Sequence, residues 1–288
     1  MEGINASTLN GFRLYNCFHL MAIVILYYDH LLSLDQEINL LWKKTPWKKS
    51  SILFFINRYV SFLGNIALTV LLLHPSLSDT VCQKLWVCHN MLYSFTQSFV
   101  GVLLSQRVYG MYGCSNRIFR FLVGFTIVMI GAASFAAFYP GDRVSYFSSL
   151  QGCHVLLHHT STLQIASAWE VVFVYDLVLF SLTLYKAHTT VHDNMDFVGA
   201  LGRRSLMQVL ISDGSLYFVV VALSNMTNIL SFYDFQVSLK GGLSTFAGCI
   251  SVTMMSRLVL NLQAANRGTE WDSFSWHSLH FARPPGSF

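Results

Sequence analysis

The sequence predicts an all-α fold, a bundle of seven transmembrane helices. Seven apolar stretches alternate with short polar loops along the 288 residues. A helix needs about 20 apolar residues to cross about 30 Å of hydrocarbon, and each stretch is close to that length. Hydrophobic residues make up 53% of the chain and charged residues only 11%, against about 25% charged in a typical soluble domain. Lipid, not water, is the solvent that this composition fits.

The seven predicted spans follow one another in a single membrane domain, residues 1–262. They are Phe12–Leu32, Ile52–Leu73, Trp86–Tyr109, Phe119–Tyr139, Ala168–Tyr185, Leu206–Phe232 and Gly241–Leu262. Residues 263–288 mix Gly, Ser, Pro and aromatic residues without helical periodicity, which predicts a mobile cytoplasmic tail. The first stretch is too long for the apolar core of a cleavable signal, so we expect it to remain as an anchor. The predicted location is the plasma membrane or an endomembrane.

The distribution of Lys and Arg predicts the orientation. Of the 18 Lys and Arg residues, 14 fall on one side of the predicted bundle, and the other side has Arg13, Lys84, Arg143 and Lys240. The positive-rich side is expected in the cytoplasm, which places the N-terminus outside and the tail in the cytoplasm. Asn5, in Asn5-Ala6-Ser7, is then a candidate glycosylation site.

Two of the six cysteines are candidates for a disulfide. Cys82 precedes the third span, and Cys153 lies in the loop between the fourth and fifth spans, both on the predicted exterior. Oxidising conditions there permit a bond between them. Cys88 competes as a partner, and two unpaired thiols are the alternative. Cys17, Cys88 and Cys249 lie in apolar spans, where cysteine usually serves as a small packing residue.

The histidines raise the question of a metal-dependent hydrolase within the membrane. His154 and His158 are four residues apart, a spacing that would place both imidazoles on one face of a helix. The pair lies in a predicted loop, however, and no predicted span carries two histidines at that spacing. Hydrogen-bonded or interfacial histidines are therefore the preferred interpretation. We identify no catalytic, cofactor-binding or metal-ligating residue, and enzymatic activity stays open, with a non-enzymatic role preferred.

Ionisable residues inside the spans form the candidate polar site. Charges inside a bilayer are costly, and they usually pair within the bundle or mark function. Six of them fall at similar depth in the predicted cytoplasmic half: Asp29, Arg58, Arg107, Asp176, Asp213 and Arg257. We expect one or more buried clusters, with Asp213 and Arg107 as the first pair. For the arginines, extension to the lipid headgroups is the alternative. Such a cluster would act as a conformational switch or only fix helix packing.

The same residues carry a resemblance to a known family. The stretch Tyr27–Lys44, with Tyr28, Asp29, His30, Asp35, Glu37 and Trp42, followed by Asn57-Arg58-Tyr59, resembles the opening of a fungal membrane-protein family, abundant in basidiomycetes and catalogued as domain of unknown function 6533. Weaker matches follow in order at Arg107-Val108-Tyr109, Trp169-Glu170, Asp213-Gly214-Ser215 and Ser256-Arg257-Leu258. The resemblance implies a multi-pass membrane protein, and it brings no catalytic residue with it.

Three functions fit this pattern, led by a receptor-like or sensory protein. Arg107-Val108-Tyr109 resembles the acidic–Arg–Tyr switch of G-protein-coupled receptors, although Gln106 replaces the acid. The partners would be lipid, an unknown small-molecule ligand and a cytoplasmic signalling protein at the basic loops 43–49 and 186–204. The basic residues form no soluble face of the kind that binds nucleic acid. The alternatives are a small-solute or proton-coupled transporter that uses Asp176 and Asp213, and the metal-dependent hydrolase.

Overall fold

The computed structural model describes residues 6–43, 49–72, 74, 78–138, 145–147, 153–156, 159–195, 206–234 and 239–281. Their side chains are described for residues 10–43, 51–72, 74, 78–136, 153, 161–189, 216–233 and 239–265.

Seven long α-helices make up nearly all of this part of the chain, and the predicted all-α fold is confirmed. They are α1 Ala6–Glu37, α2 Lys49–Leu72, α3 Asp79–Met111, α4 Asn116–Phe138, α5 His159–Met195, α6 Leu206–Asp234 and α7 Ser244–Phe281. A π-helical turn, Ile38–Trp42, continues α1. A short antiparallel hairpin, not predicted from the sequence, pairs β1 Ser145–Phe147 with β2 His154–Leu156, with Tyr146 opposite Val155.

Six of these helices are long and apolar enough to cross a membrane. The candidate spans are Asn10–Trp42, Ser51–Leu72, Asn116–Ala136, Ser161–Thr189, Leu216–Tyr233 and Ser244–Ala265. Large apolar side chains such as Val24, Leu31 and Ile127 are 64–69% exposed on their outer faces. Contiguous exposed apolar surface is unusual for a protein in water. The chain is therefore a multi-pass membrane protein.

The helix outside this set is α3, which has the length but not the mean hydropathy of a span. Its packing explains the difference, since α3 contacts four other helices, α2, α4, α5 and α7. A helix with four packing partners needs less lipid-compatible surface, so it can carry polar residues such as His89, Asn90 and Gln97. These residues lower its hydropathy without exposing polar groups to lipid.

The helices form a closed ring in which neighbours in sequence are also neighbours in space, and α1 closes the ring against α7. Besides α1 and α6, α7 contacts α2 and α3, and 67% of its span is buried, against 6% for α4. The two inner helices, α3 and α7, therefore position the polar groups described below, whereas α4 lies at the periphery.

Helix ends differ from the predicted spans for local reasons. Gly241, the predicted first residue of the seventh span, has φ +74°, a left-handed conformation outside the helical region, and α7 begins only at Ser244. At its other end α7 continues to Phe281, through most of the segment predicted as a mobile tail. No proline interrupts this segment before Pro284, and a residue that precedes proline disfavours the helical conformation.

Candidate functional site

A disulfide fixes one end of the bundle. Cys82, in the first turn of α3, is bonded to Cys153, the residue before β2. This is the pair that the sequence predicts, and the competing residue Cys88 has a free thiol, as do Cys17, Cys114 and Cys249. Both bonded cysteines are buried and pack with Leu68 of α2 and Leu85 of α3. The bond therefore holds the hairpin against the ends of α2 and α3.

Beside this disulfide the helices enclose a cavity of about 180 Å³. All seven helices contribute to its lining, which combines Tyr, Trp and Phe rings with a few polar groups: Tyr15, His19, Trp86, His89, Asn90, Tyr93, Gln97, Trp169, Tyr175, Asp176, Phe232 and Ser244. Along α3 the lining runs from Leu85 to Gly101, about 24 Å at 1.5 Å per residue. A concave, mostly apolar pocket with a few polar groups is the usual form of a small-molecule site.

Two histidines belong to the wall of this cavity, and both are hydrogen-bonded. The His19 ring lies between Thr69, 3.0 Å from Nε2, and Thr245, 3.3 Å from Nδ1. His89 Nε2 lies 3.4 Å from the same Thr245 hydroxyl, and its ring meets the Tyr93 ring edge to face at 4.6 Å. This arrangement agrees with the interpretation of these histidines as hydrogen-bonded residues.

The described residues provide no candidate metal centre for the metal-dependent hydrolase. They contain no group of three His, Cys, Asp or Glu side chains placed to hold a metal ion. The spaced pair His154 and His158, and the glycosylation candidate Asn5, lie outside the side chains that the structure describes.

The deep end of the cavity is built on Tyr175 and Asp176 of α5. The Tyr175 hydroxyl lies 2.6 Å from Ser105 Oγ and 2.8 Å from Thr126 Oγ1, and it donates to the Gly101 carbonyl at 3.1 Å. A Cβ at position 101 would lie 3.0 Å from the tyrosine ring, so glycine permits this close approach of α5 to α3. These contacts fix the Tyr175 ring in the wall.

Asp176 has a neutral amide as its buried partner. Asn225 of α6 donates from Nδ2 to Asp176 Oδ2 at 2.7 Å, and both side chains are buried. The ion pairs among the described side chains are Arg58 with Glu37 and Arg257 with Asp29. Within this part of the chain, no Lys, Arg or His nitrogen therefore lies within 4.0 Å of the Asp176 carboxylate.

At the opposite end of the bundle, Glu37 and Arg58 form a fully buried ion pair. The Nε–Oε2 distance is 2.8 Å, and the side chains are 0% and 3% exposed. Tyr59 and Trp42 donate to Glu37 Oε1 at 2.8 and 3.0 Å, and Arg58 Nη2 donates to Ser33 Oγ at 2.8 Å. We call these five residues the Glu37 network. Since the chain is π-helical after Glu37, the indole five residues later returns over the carboxylate.

A second ion pair joins α1 to α7. Arg257 Nε donates to Asp29 Oδ1, and Arg257 is 45% exposed whereas Asp29 is 7% exposed. Asp29 and Ser33 lie one turn apart on α1, and Ser33 Oγ donates to the Asp29 carbonyl at 2.6 Å. The two ion pairs therefore share one face of α1. The structure brings together three of the six predicted residues here, Asp29, Arg58 and Arg257.

Arg107 and Asp213 are the last two of the six predicted residues. Arg107, at the end of α3, is buried, with its guanidinium carbon 5.8 Å from the centre of the Phe218 ring of α6, a cation–π distance. Asp213 lies in α6, but its side chain is outside the part that the structure describes. The predicted pair of Asp213 with Arg107 therefore stays a prediction.

Glu37 is the central residue that the sequence analysis did not place in the site. The spacing of His30, Ser33 and Glu37, three and four residues, puts them on one helix face. That spacing carries a signal, but Glu37 lies beyond the predicted end of the first span at Leu32. A span limited to the apolar stretch therefore missed the last turn of α1.

The comparisons with known proteins concern the same region. Residues 17–63 match the model of a family described as a family of unknown function (DUF6533), which confirms the resemblance for this segment, whereas fungal origin stays a prediction. The match contains α1 from residue 17 onward, the π-helical turn and α2 up to residue 63, and thus every residue of the Glu37 network. No curated protein matches the chain.

Proposed function

We propose that the protein is a receptor-like membrane sensor that binds a small molecule in the cavity beside the Cys82–Cys153 disulfide. The observation that carries the proposal is the cavity itself, which all seven helices line. A ligand in this cavity can favour one arrangement of the lining helices over another, as a population shift requires. The seventh span in this proposal is α3, which packs against α2, α4, α5 and α7.

The orientation supports this assignment. Disulfides persist in oxidising compartments, so the end with Cys82 and Cys153 is proposed to face the exterior or a lumen. The Lys and Arg distribution gives the same orientation independently. The cavity then opens toward the compartment from which an external ligand arrives, and the basic segments 43–49 and 186–204 face a cytoplasmic signalling partner.

At the opposite end of the bundle lie the contacts between helices that such a ligand would change. Arg107 bridges α3 to Phe218 of α6, while Asp29 and Arg257 join α1 to α7. Asp176 and Asn225 link α5 to α6 at the deep end of the cavity. A ligand that contacts Asp176 would act on α6 through this hydrogen bond, and α6 carries the ring that covers Arg107.

The test is a binding screen on the full chain in nanodiscs, with thermal stabilisation as readout. A compound that binds in the cavity should lose its effect in Ser98→Trp, because Ser98 lines the cavity. It should keep its effect in Phe95→Trp, a matched control one turn away on α3 whose side chain is 43% exposed on the outer face. A stabilising compound should also increase nucleotide exchange on a heterotrimeric G protein. Compounds that stabilise both variants equally would contradict the cavity as the site.

A transporter is the second candidate, and Asp176 is the observation that favours it. A buried acid with a neutral partner, at the deep end of a cavity within a helix bundle, is a common carrier of protons or cations. Flux of a cavity ligand into proteoliposomes, lost in Asp176→Asn, would support transport. Ligand-dependent nucleotide exchange without flux would support the sensor.

A further inference from the structure

We propose that the cavity accepts a small organic cation, a protonated amine carrying one ring, whose ammonium pairs with Asp176. The inference rests on the proposed function only in that the cavity holds a ligand. It adds the chemical class and the size of that ligand.

Charge in the cavity favours a cation at its deep end. Among the described residues of the lining, Asp176 is the one acid, and it is 4% exposed. Its partner Asn225 is neutral, and the described part of the chain brings no cationic nitrogen within 4.0 Å of it. A carboxylate removed from water needs a compensating charge or a proton. An ammonium that enters through the cavity provides that charge with up to three N–H donors.

The basic groups of the lining lie away from this position. His19 and His89 are bonded to Thr245 in the wall, where neutral imidazoles suffice. Lys240 belongs to the turn between α6 and α7. The helix ends thus place Lys240 near the disulfide end, whereas Asp176 lies within α5. A ligand that approaches Asp176 therefore meets the carboxylate after it has passed the region of Lys240.

Aromatic side chains in the cavity wall can contact a ring that is attached to that cation. Trp169, Val172 and Asp176 all line the cavity, and their spacing of three and four residues places them on one face of α5. Trp169 stands about 10 Å along the axis from Asp176. Tyr175, held by Ser105 and Thr126, adds a fixed aromatic surface at the deep end. Aromatic faces stabilise organic cations through cation–π contacts.

The cavity volume sets the size of the ligand. At about 180 Å³ it slightly exceeds the roughly 150 Å³ of an apolar cavity that holds benzene. One ring with a short amine chain fits this space.

The experiment compares three probes of one shape and different charge, 2-phenylethylamine, 2-phenylethanol and phenylacetate, on the full chain in nanodiscs. Binding is measured by saturation-transfer NMR, with empty nanodiscs as the control for partitioning into lipid. The amine should bind at least about tenfold more tightly than the alcohol, since a hydrogen bond to a charged group contributes about 1.5–3 kcal/mol. Phenylacetate should bind most weakly.

Two variants test whether Asp176 itself, and not another residue of α5, causes the preference for the amine. Asp176→Asn should remove the advantage of the amine over the alcohol and leave alcohol binding unchanged. Glu170→Gln is the matched control, because Glu170 lies on α5 outside the cavity lining and accepts from Tyr233 at 2.6 Å. It should preserve the preference for the amine. The probe series on the unaltered chain decides the question even where Asp176→Asn fails to fold.

Each outcome separates this inference from the proposed function. Equal or tighter binding of phenylacetate or 2-phenylethanol, abolished in Ser98→Trp, would overturn the cationic ligand and leave the sensor standing. An amine preference that persists in Asp176→Asn would overturn the role of Asp176. Absence of cavity binding for all three probes would overturn the cationic ligand. If the broader screen also found no ligand sensitive to Ser98→Trp, the proposed function would fall as well.

Discussion

Replacing Arg58 by methionine should destabilise the protein more than replacing both Arg58 and Glu37 by methionine. Glu37 is 0% exposed, so the single substitution leaves a carboxylate in a low-dielectric interior with two neutral donors, Tyr59 and Trp42. Breaking a buried ion pair from one side costs about 3–5 kcal/mol. Because the two donors remain, we expect the free energy of unfolding to fall by about 3 kcal/mol, the lower end of that range.

The double variant removes both charges and leaves the donors of Tyr59 and Trp42 without their acceptor. Two neutral hydrogen bonds together contribute about 1–3 kcal/mol. Apolar side chains in place of a buried ion pair offset part of this loss, so we expect a net loss of about 1–2 kcal/mol. Unfolding by SDS in mixed micelles, followed through tryptophan fluorescence, measures all the variants. Arg257→Met is the matched control, because Arg257 is 45% exposed and pairs nearer to solvent, so its loss should be smaller. A single Arg58→Met variant as stable as wild type, or a double variant less stable than it, would refute the reasoning.

Three further predictions follow from the packing and the topology. Non-reducing mass spectrometry of alkylated membranes should recover Cys82 and Cys153 as one linked peptide pair that separates on reduction, and two alkylated thiols would contradict the bond. Gly248→Ala should lower thermal stability, because a Cβ there would lie 2.5 Å from the Tyr93 ring. Gly110→Ala should not, because among the described residues no packing neighbour comes within 4 Å of that Cβ, and equal losses would show that the Tyr93 contact is irrelevant. A C-terminal tag should be protected from antibody in intact cells and exposed after permeabilisation, and labelling of intact cells would reverse the orientation.

The membrane fold could be predicted because hydrophobic length is a local property of the sequence. The apolar stretch of α3 also predicted a span, although α3 is packed closely enough to carry polar residues that lower its mean hydropathy. The ends were less predictable, since helices such as α5 and α7 continue outside the apolar stretch. The hairpin between α4 and α5 has only three residues per strand, too few for a strand pattern.

The sequence predicted several residues of the polar site but not which residues pair with each other. Depth along each span grouped Asp29, Arg58 and Arg257, because helices of known direction place residues at similar heights. Which residues meet depends on helix rotation, which the charges alone do not fix, so Asn225 was not predicted as the partner of Asp176. Glu37 was missed because it lies beyond the apolar stretch that defined the first predicted span. The cavity arises from residues on seven helices and has no local sequence signal.

The most direct measurement of the central claim is the labelling of single cysteines on α3 by a membrane-impermeant methanethiosulfonate reagent. The background keeps the Cys82–Cys153 disulfide and replaces the free thiols Cys17, Cys88, Cys114 and Cys249. Ser94 and Gln97 line the cavity, whereas Phe95 and Met91 are 43% and 54% exposed on the outer face, where lipid excludes the charged reagent. With reagent added outside intact cells, Ser94→Cys and Gln97→Cys should react and Phe95→Cys and Met91→Cys should not. Equal reaction at all four positions, or reaction only at the outer face, would contradict a water-filled ligand cavity within a membrane-embedded bundle.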